Sequence, residues 1–483
     1  MTFFLVLSEK IRKKSNLVFK FQTIRAISAK SNIFDAVFLP VKFTQKVMKE
    51  EFLSFLWKNR LLNHEGLVLA NGEGLEIIHP GTENPDAGPD YFSAKIRIGS
   101  TIWAGNIEIH LKSSDWIIHK HHLNEQYGNI ILHLVHENDC DLDDIRQKNI
   151  NVLEIKNYYD RSLFERYENL LKSKSWIPCQ NQIGTVDGFV VRNWLGRLMV
   201  ERLEGKSQEV SDYFDFFKND WEQTFFYFLS KNLGFRVNSV PFGMLAQRTP
   251  YLLLQKNSDD LQKLEAILFG QAGLLSENIK DVYARILQKE YTYQKAKYNL
   301  EPIQGSLWKF SKLRPVNFPT IRISQIAAIL HGARHIFRNV VESQTIQDIH
   351  SLFSSKVSDF WENHYTFEKE SPKRTKRLGA QSIHNIIINT IAPILFVYGR
   401  QTNNEKLCEK ALEFLNETPP EDNSIIQKWS SFGIKPVNAS ESQALLELHK
   451  FYCTPRRCLD CHIGVCLVRP KKKLLSNKSQ RVV

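Results

Sequence analysis

The chain has no run of eighteen or more uncharged apolar residues, which argues against a membrane-spanning helix. Its most apolar stretch, Ile386 to Val397, contains Asn389 and Pro393, is too short to span a bilayer, and predicts a buried helix. A secretory signal is also missing, because the opening MTFFLVLSEKIRKK does not place a basic region before an apolar core and a small-residue cleavage site. Without an export signal, a cytoplasmic location is expected and disulfides are disfavoured. There is no internal repeat, which excludes a solenoid. There is no phosphate-binding glycine loop either: Gly72-Glu73-Gly74 is too short and reads as a turn.

The body also lacks an excess of charge, although the net charge is +12. Residues 1–47 carry nine Lys/Arg against two acids, and residues 456–483 carry eight against one. The remainder holds 47 basic and 49 acidic residues, so it has no chain-wide electrostatic footprint for nucleic acid. The basic run Arg469-Pro-Lys-Lys-Lys473 would touch phosphates or simply be a solvated end.

What is present is ordinary for a globular protein: 483 residues, 42% hydrophobic and 24% charged, enough for two or three domains. MKEEFLSFLWKNRLL, beginning at Met48, is an amphipathic helix with acids in its first turn. Translation is expected to start there, which leaves 1–47 as a disordered or mis-called extension. Two alternating segments follow. Phe92, Ala94, Ile96 and Ile98 alternate with Ser93, Lys95 and Arg97, and Ile107, Ile109 and Leu111 alternate with Asn106, Glu108, His110 and Lys112. A period of two predicts strands with the apolar sets facing the core. Asp90 stands at the mouth of the first strand, and Glu108-Ile109-His110 lies on the second. Two carboxylates on neighbouring strands suit a hard divalent cation such as Mg²⁺, with His110 or Lys112 assisting a water. The plain alternative is a half-solvated sheet carrying charges.

These residues resemble the core of the PD-(D/E)xK nucleases, in which Pro-Asp leads one strand and (Asp/Glu)-x-Lys lies on the next. Pro89-Asp90 matches, but His110 stands where that superfamily usually has Lys. The resemblance implies Asp90 and Glu108 as metal ligands, and a further Glu from the first helix, Glu50 or Glu51. Over most of the chain after Met48 the sequence is also similar to a bacterial family known as domain of unknown function 2851. The matching pieces include EEFLSFLWKNRLL, NGEGLEIIHPG, NPDAGPDYFSAKI, WAGNIEIHLKSSDW and WKFSKLRPVNFPTIR. That family has no assigned activity.

The segment SSDWIIHKHHLNEQYGNIILHLVHE is rich in histidine. His119 and His121 would share a face on a strand and suit Zn²⁺, whereas in a loop the pair implies less. His133, inside an apolar run, reads as a hydrogen-bonded core residue. Residues from 157 to about 440 show helical spacing, as in WEQTFFYFLSKNLGF and LQKLEAILFGQAGLL. Arg314, Arg322, Arg377 and Gln381 would line a phosphate groove or simply pair helices. Cys453-x4-Cys458-x2-Cys461-x4-Cys466 has spacing for Zn²⁺ or an iron–sulfur cluster. It loosely resembles the four-Cys iron–sulfur staple near the C-terminus of some PD-(D/E)xK nucleases, whose first Cys lies far upstream; that resemblance implies Cys140, Cys179 or Cys408 as such a ligand.

The expected fold is α+β: a small mixed β-sheet, nuclease-like domain over 48–160, followed by a larger, mainly α-helical region over 161–440. A Cys-rich motif over 441–470 and a basic disordered tail over 471–483 would complete the chain. Three functions fit. One is a metal-dependent nuclease with nucleic acid as partner. Another is a non-catalytic binding or scaffold protein on a degenerate nuclease fold. The last is a Zn-dependent hydrolase built on His119 and His121. No membrane partner is expected, and nothing in the sequence sets the oligomeric state.

Overall fold

Acids in the first turn and a face of Phe52, Leu53, Phe55, Leu56 and Trp57, all fully buried, make Glu50–Lys58 the first helix, α1. The computed structural model describes residues 48–63, 66–275 and 280–469. The proposed extension 1–47 and basic tail 471–483 lie outside the described residues. Residues from Lys49 onward cluster as one unit, with an α+β arrangement in which a mixed sheet comes first and helices follow.

The sheet holds β1 (Leu75–His79), β2 (Thr82–Glu83), β3 (Tyr91–Ile98), β4 (Thr101–Lys112), β5 (Ile130–Glu137) and β6 (Asn151–Glu154). Its order is β1-β3-β4-β5-β6, with β2 also on β3. β1, β2 and β4 run antiparallel to β3, while β4, β5 and β6 are mutually parallel neighbours. A parallel step needs a crossover, since a hairpin cannot make it. Between β4 and β5 that crossover is a short helix, α2 (Asp115–Ile118), and two 3₁₀ turns, His121–Leu123 and Glu125–Tyr127. Trp116 anchors it: the indole is fully buried against Tyr127, Ile130, Ile145 and Ile150, and donates to Asp144 Oδ2 at 2.9 Å.

The alternation expected for β4 is present, but the middle of its polar face is not solvated. Glu108 and His110 are as buried as Ile107 and Ile109. For β3 one expectation fails. Phe92 is 39% exposed, and Tyr91 is the buried ring. The register shifts between Tyr91 and Ala94, where Ser93 takes a left-handed conformation with φ 56°. A bulge of this kind inserts one residue and reverses the faces before it, so strict period-two reading misplaces Phe92.

The helical region begins with α4 (Arg161–Lys172), after a short α3 (Asp143–Gln147) between β5 and β6. Then come α5 (Gly188–Phe216) and α6 (Trp221–Leu233). The apolar stretch around Ile386 is helical over Ala380–Gln401, with a π-helical segment at Ile387–Ile391 just before Pro393. By length and composition this helix is apolar enough to cross a membrane, yet 67% of its most apolar window is buried inside the protein. Arg322 does not line a groove. It is buried, with its guanidinium on Gln325, Asn317 and Ser382, so it joins helices instead of meeting solvent anions.

The chain's last described helix, His462–Val468, packs against α4 and α5. Arg166 donates to Val468 O at 2.8 Å, and Arg456 donates to Leu171 O at 2.5 Å. Tyr167 of α4 stacks on Phe52 of α1 and donates to Glu51 Oε2 at 3.2 Å. The C-terminal cysteine segment is thereby fastened to α4, which packs on the helix that contacts β4.

Candidate metal centre

Asp90 enters the site from the turn before β3. Its Oδ2 accepts the Ile109 N–H at 2.9 Å, and its own N–H donates to Glu108 Oε2 at 3.2 Å. Two carboxylates from adjacent strands are thus cross-linked through each other's backbones, which fixes their orientation. Burial raises both carboxyls: Asp90 above its ordinary range, and Glu108 up to about 9, with the Asp90 charge adding to the effect on Glu108. Glu50 of α1 is raised as well, first by burial and then by Asp90, with the His119 imidazole and the Leu111 amide acting the other way. Three carboxyls that disfavour their own charge share one region, a natural place for a cation.

Histidines close the opposite side. His110 Nε2 lies 3.1 Å from His119 Nδ1, and Glu108 Oε1 lies 3.2 Å from His121 Nε2 and 3.5 Å from His110 Nε2. One ring nitrogen from each of His110, His119 and His121 falls within 4.8 Å of the other two. The His110 and His121 rings stack at 5.1 Å. His119 and His121 reach the same point because Lys120 between them is left-handed, with φ 62°. A turn, not a strand, therefore brings the pair together.

The protonation states suit ligation. Burial lowers His110 to about 2, with the neighbouring His133, His121 and His119 adding to the effect. It lowers His121 to about 4 and His133 to about 3. Neutral imidazoles are the form that binds metal. His121 Nε2 is buried without a hydrogen-bond partner despite its closeness to Glu108, the condition of an atom that a ligand would satisfy. Behind the site, His110 Nδ1 meets His133 Nε2 at 2.8 Å, the outer-shell contact that orients a ligating imidazole.

Of the residues singled out from the sequence, Asp90, Glu108 and His110 come together. Lys112 does not join them: it is exposed at the strand end, with its ammonium 3.7 Å from Asp139. Glu50 faces the site, whereas Glu51 is committed to Tyr167. His133 is a core residue hydrogen-bonded to His110. His136 pairs with the Tyr159 hydroxyl, outside the cluster. The HKHH sequence signalled His119 and His121, but their approach to His110 depends on the crossover and had no signal of its own. Among the cysteines, Cys453, Cys458 and Cys461 are buried, and Cys466 is exposed.

A family model described as "Protein of unknown function (DUF2851)" matches residues 50–424. No curated protein and no solved structure matches the chain.

Proposed function

For a chain that belongs to the DUF2851 family of proteins of unknown function, we propose a metal-dependent phosphodiesterase acting on nucleic acid, a nuclease-like enzyme. The observation that carries this reading is the convergence of three imidazole nitrogens within 4.8 Å, beside the buried, cross-linked carboxylates Asp90 and Glu108. His110, His119, His121 and Glu108 would hold the ion. Three nitrogens with a carboxylate suit Zn²⁺, Mn²⁺ or Fe²⁺ better than Mg²⁺, which prefers oxygen and keeps its waters. A bound metal would supply an acidified water and a positive charge opposite the phosphoryl oxygens.

The chain's own residues then have separable tasks. His133 fixes the tautomer of His110. Ile109 and Asp90 donate backbone N–H groups that hold the carboxylates of Asp90 and Glu108. Glu50, whose carboxyl interacts with the charges of Asp90 and His119, would accept the proton of an attacking water. The helix, antiparallel strands and parallel crossover follow the order of nuclease cores, an argument from analogy. A cleft lined by Lys58, Arg197, Arg457 and Arg469, with Phe189 and Trp194 among them, also contains Glu83, whose charge acts on Asp90. Cations interleaved with aromatics suit a nucleic-acid strand.

The test is cleavage of single- and double-stranded DNA and RNA in the presence of Zn²⁺, Mn²⁺ or Mg²⁺, beside Glu108→Ala and His121→Ala. The expected result is metal-dependent cleavage lost in both variants. Cleavage surviving in both would overturn the assignment, as would its absence with every metal and substrate.

A further inference from the structure

A second centre lies where the C-terminal segment docks. Four thiols are buried there: Cys179, from the segment between α4 and α5, with Cys453, Cys458 and Cys461. Packing brings their segments together: Trp176 stacks on His449 at 4.3 Å and Arg456 donates to Leu171 O, so the four thiols lie near enough for their charges to interact. Cys453 feels Cys461, Cys179 and Cys458, Cys458 feels Cys461 and Cys179, and Cys179 feels Cys461. The remaining cysteines stand apart or outside. Cys140 contacts Ser113 and Cys408 donates to Phe396 O; Cys466 neighbours Cys461 but is exposed, unlike the four buried thiols.

We propose that Cys179, Cys453, Cys458 and Cys461 form a four-thiolate metal site that ties the C-terminal segment to the rest of the chain. The set differs from the four consecutive cysteines of the terminal motif, because Cys179 takes the place of Cys466. Four converging sulfurs are the ligand number of both a structural Zn²⁺ and an iron–sulfur cluster. Tetrahedral Zn–S bonds of about 2.3 Å hold their sulfurs closer together than a cluster does, since cluster cysteines bind different irons. No three cysteine sulfurs among the described residues lie within 4.8 Å of one another, a wider spread than one tetrahedral Zn²⁺ holds.

The surroundings fit a held thiolate. The backbone amides of Ile463 and Gly464 favour a charged Cys461 sulfur against the effect of burial, the kind of outer contact that supports a ligand. Gly464 is required there: a Cβ would sit 2.1 Å from Cys458 O. Burial disfavours the thiolate form at Cys179, Cys458 and Cys461, a cost that a bound cation would offset.

The experiment is metal and acid-labile sulfide analysis of the full chain, purified without oxygen, with visible absorption spectra. Iron with sulfide identifies a cluster, and one Zn²⁺ per chain a single ion; either supports the site. Cys179→Ala should lose that metal, and Cys466→Ala should retain it. Ile177→Ala, a packing change two residues away, controls for local destabilisation and should also retain it. The proposal is overturned if this fraction is absent from the wild type, if Cys179→Ala keeps it, or if Cys466→Ala is the variant that loses it. Metal bound at His110, His119 and His121 is separated by repeating the analysis in His121→Ala, where the thiolate-bound fraction should persist.

Discussion

His110 and His133 meet ring to ring, Nδ1 to Nε2, at 2.8 Å inside the protein. One nitrogen of His110 is thereby occupied, and the other, Nε2, is aimed at His119 and Glu108. Because the two imidazoles come from adjacent parallel strands, the orientation of the His110 ring is set by the sheet itself.

His133→Ala should therefore weaken metal binding without touching the ion. Loss of an outer-shell partner typically lowers affinity 10- to 100-fold. Competition with a fluorescent chelator would measure it. An unchanged affinity in a folded His133→Ala protein would show that His110 needs no such support.

Metal should stabilise the fold. Asp90, Glu108 and Glu50 are all raised by burial, so the metal-free site opposes their ionisation. A ligand present at 100 times its Kd adds about 2.7 kcal/mol. Thermal melts with Zn²⁺ or Mn²⁺ should show a Tm higher by a few degrees, reversed by a chelator. Glu108→Gln combined with His121→Ala should remove the shift, and a shift of equal size in that double variant would place the binding elsewhere.

Glu265 supplies a pH dependence remote from the metal centre. It is fully buried, accepts from the Tyr283 and Ser358 hydroxyls, and is pushed up to about 7 by burial. Between its ordinary 4.5 and about 7 the folded protein holds a proton that the unfolded chain releases. Stability from this group is therefore complete at low pH and falls as pH rises through that window, by up to about 3 kcal/mol. Chemical denaturation of Glu265→Gln across pH 4 to 8 should give a flatter curve than wild type. Parallel curves would remove Glu265 as the source.

The bulge at Ser93 makes an asymmetric pair of neighbours. Tyr91→Ala should cost about 3–5 kcal/mol, because a ring 1% exposed leaves a cavity and also loses its hydrogen bond to Ser54. Phe92→Ser should change stability by about 0.5 kcal/mol or less, since that ring already meets solvent. Denaturant midpoints would decide it, and the reverse order would restore the simple alternating strand.

Much of this was readable along the chain. The acids and apolar face of α1, the alternation of β4 and the helical spacing of α5 and α6 are local signals, and local signals survive folding. Asp90 and Glu108 could be paired because a hairpin joins their strands. Phe92 was misplaced because a bulge leaves no mark on hydrophobic periodicity. His119 and His121 carried a motif without a location, and Lys112, in sequence step with His110, ended outside the site.

The sequence by itself determined the elements, the buried faces and the residue types able to bind metal, since each depends on neighbours a few positions apart. Tertiary structure alone decided which of those residues share a centre. The left-handed Lys120 and the buried Trp116 carry His119 and His121 over β4, and docking of the last helix brings Cys179 to cysteines nearly three hundred residues away. Those distances close through long-range packing, whose cost and reward lie outside any local window.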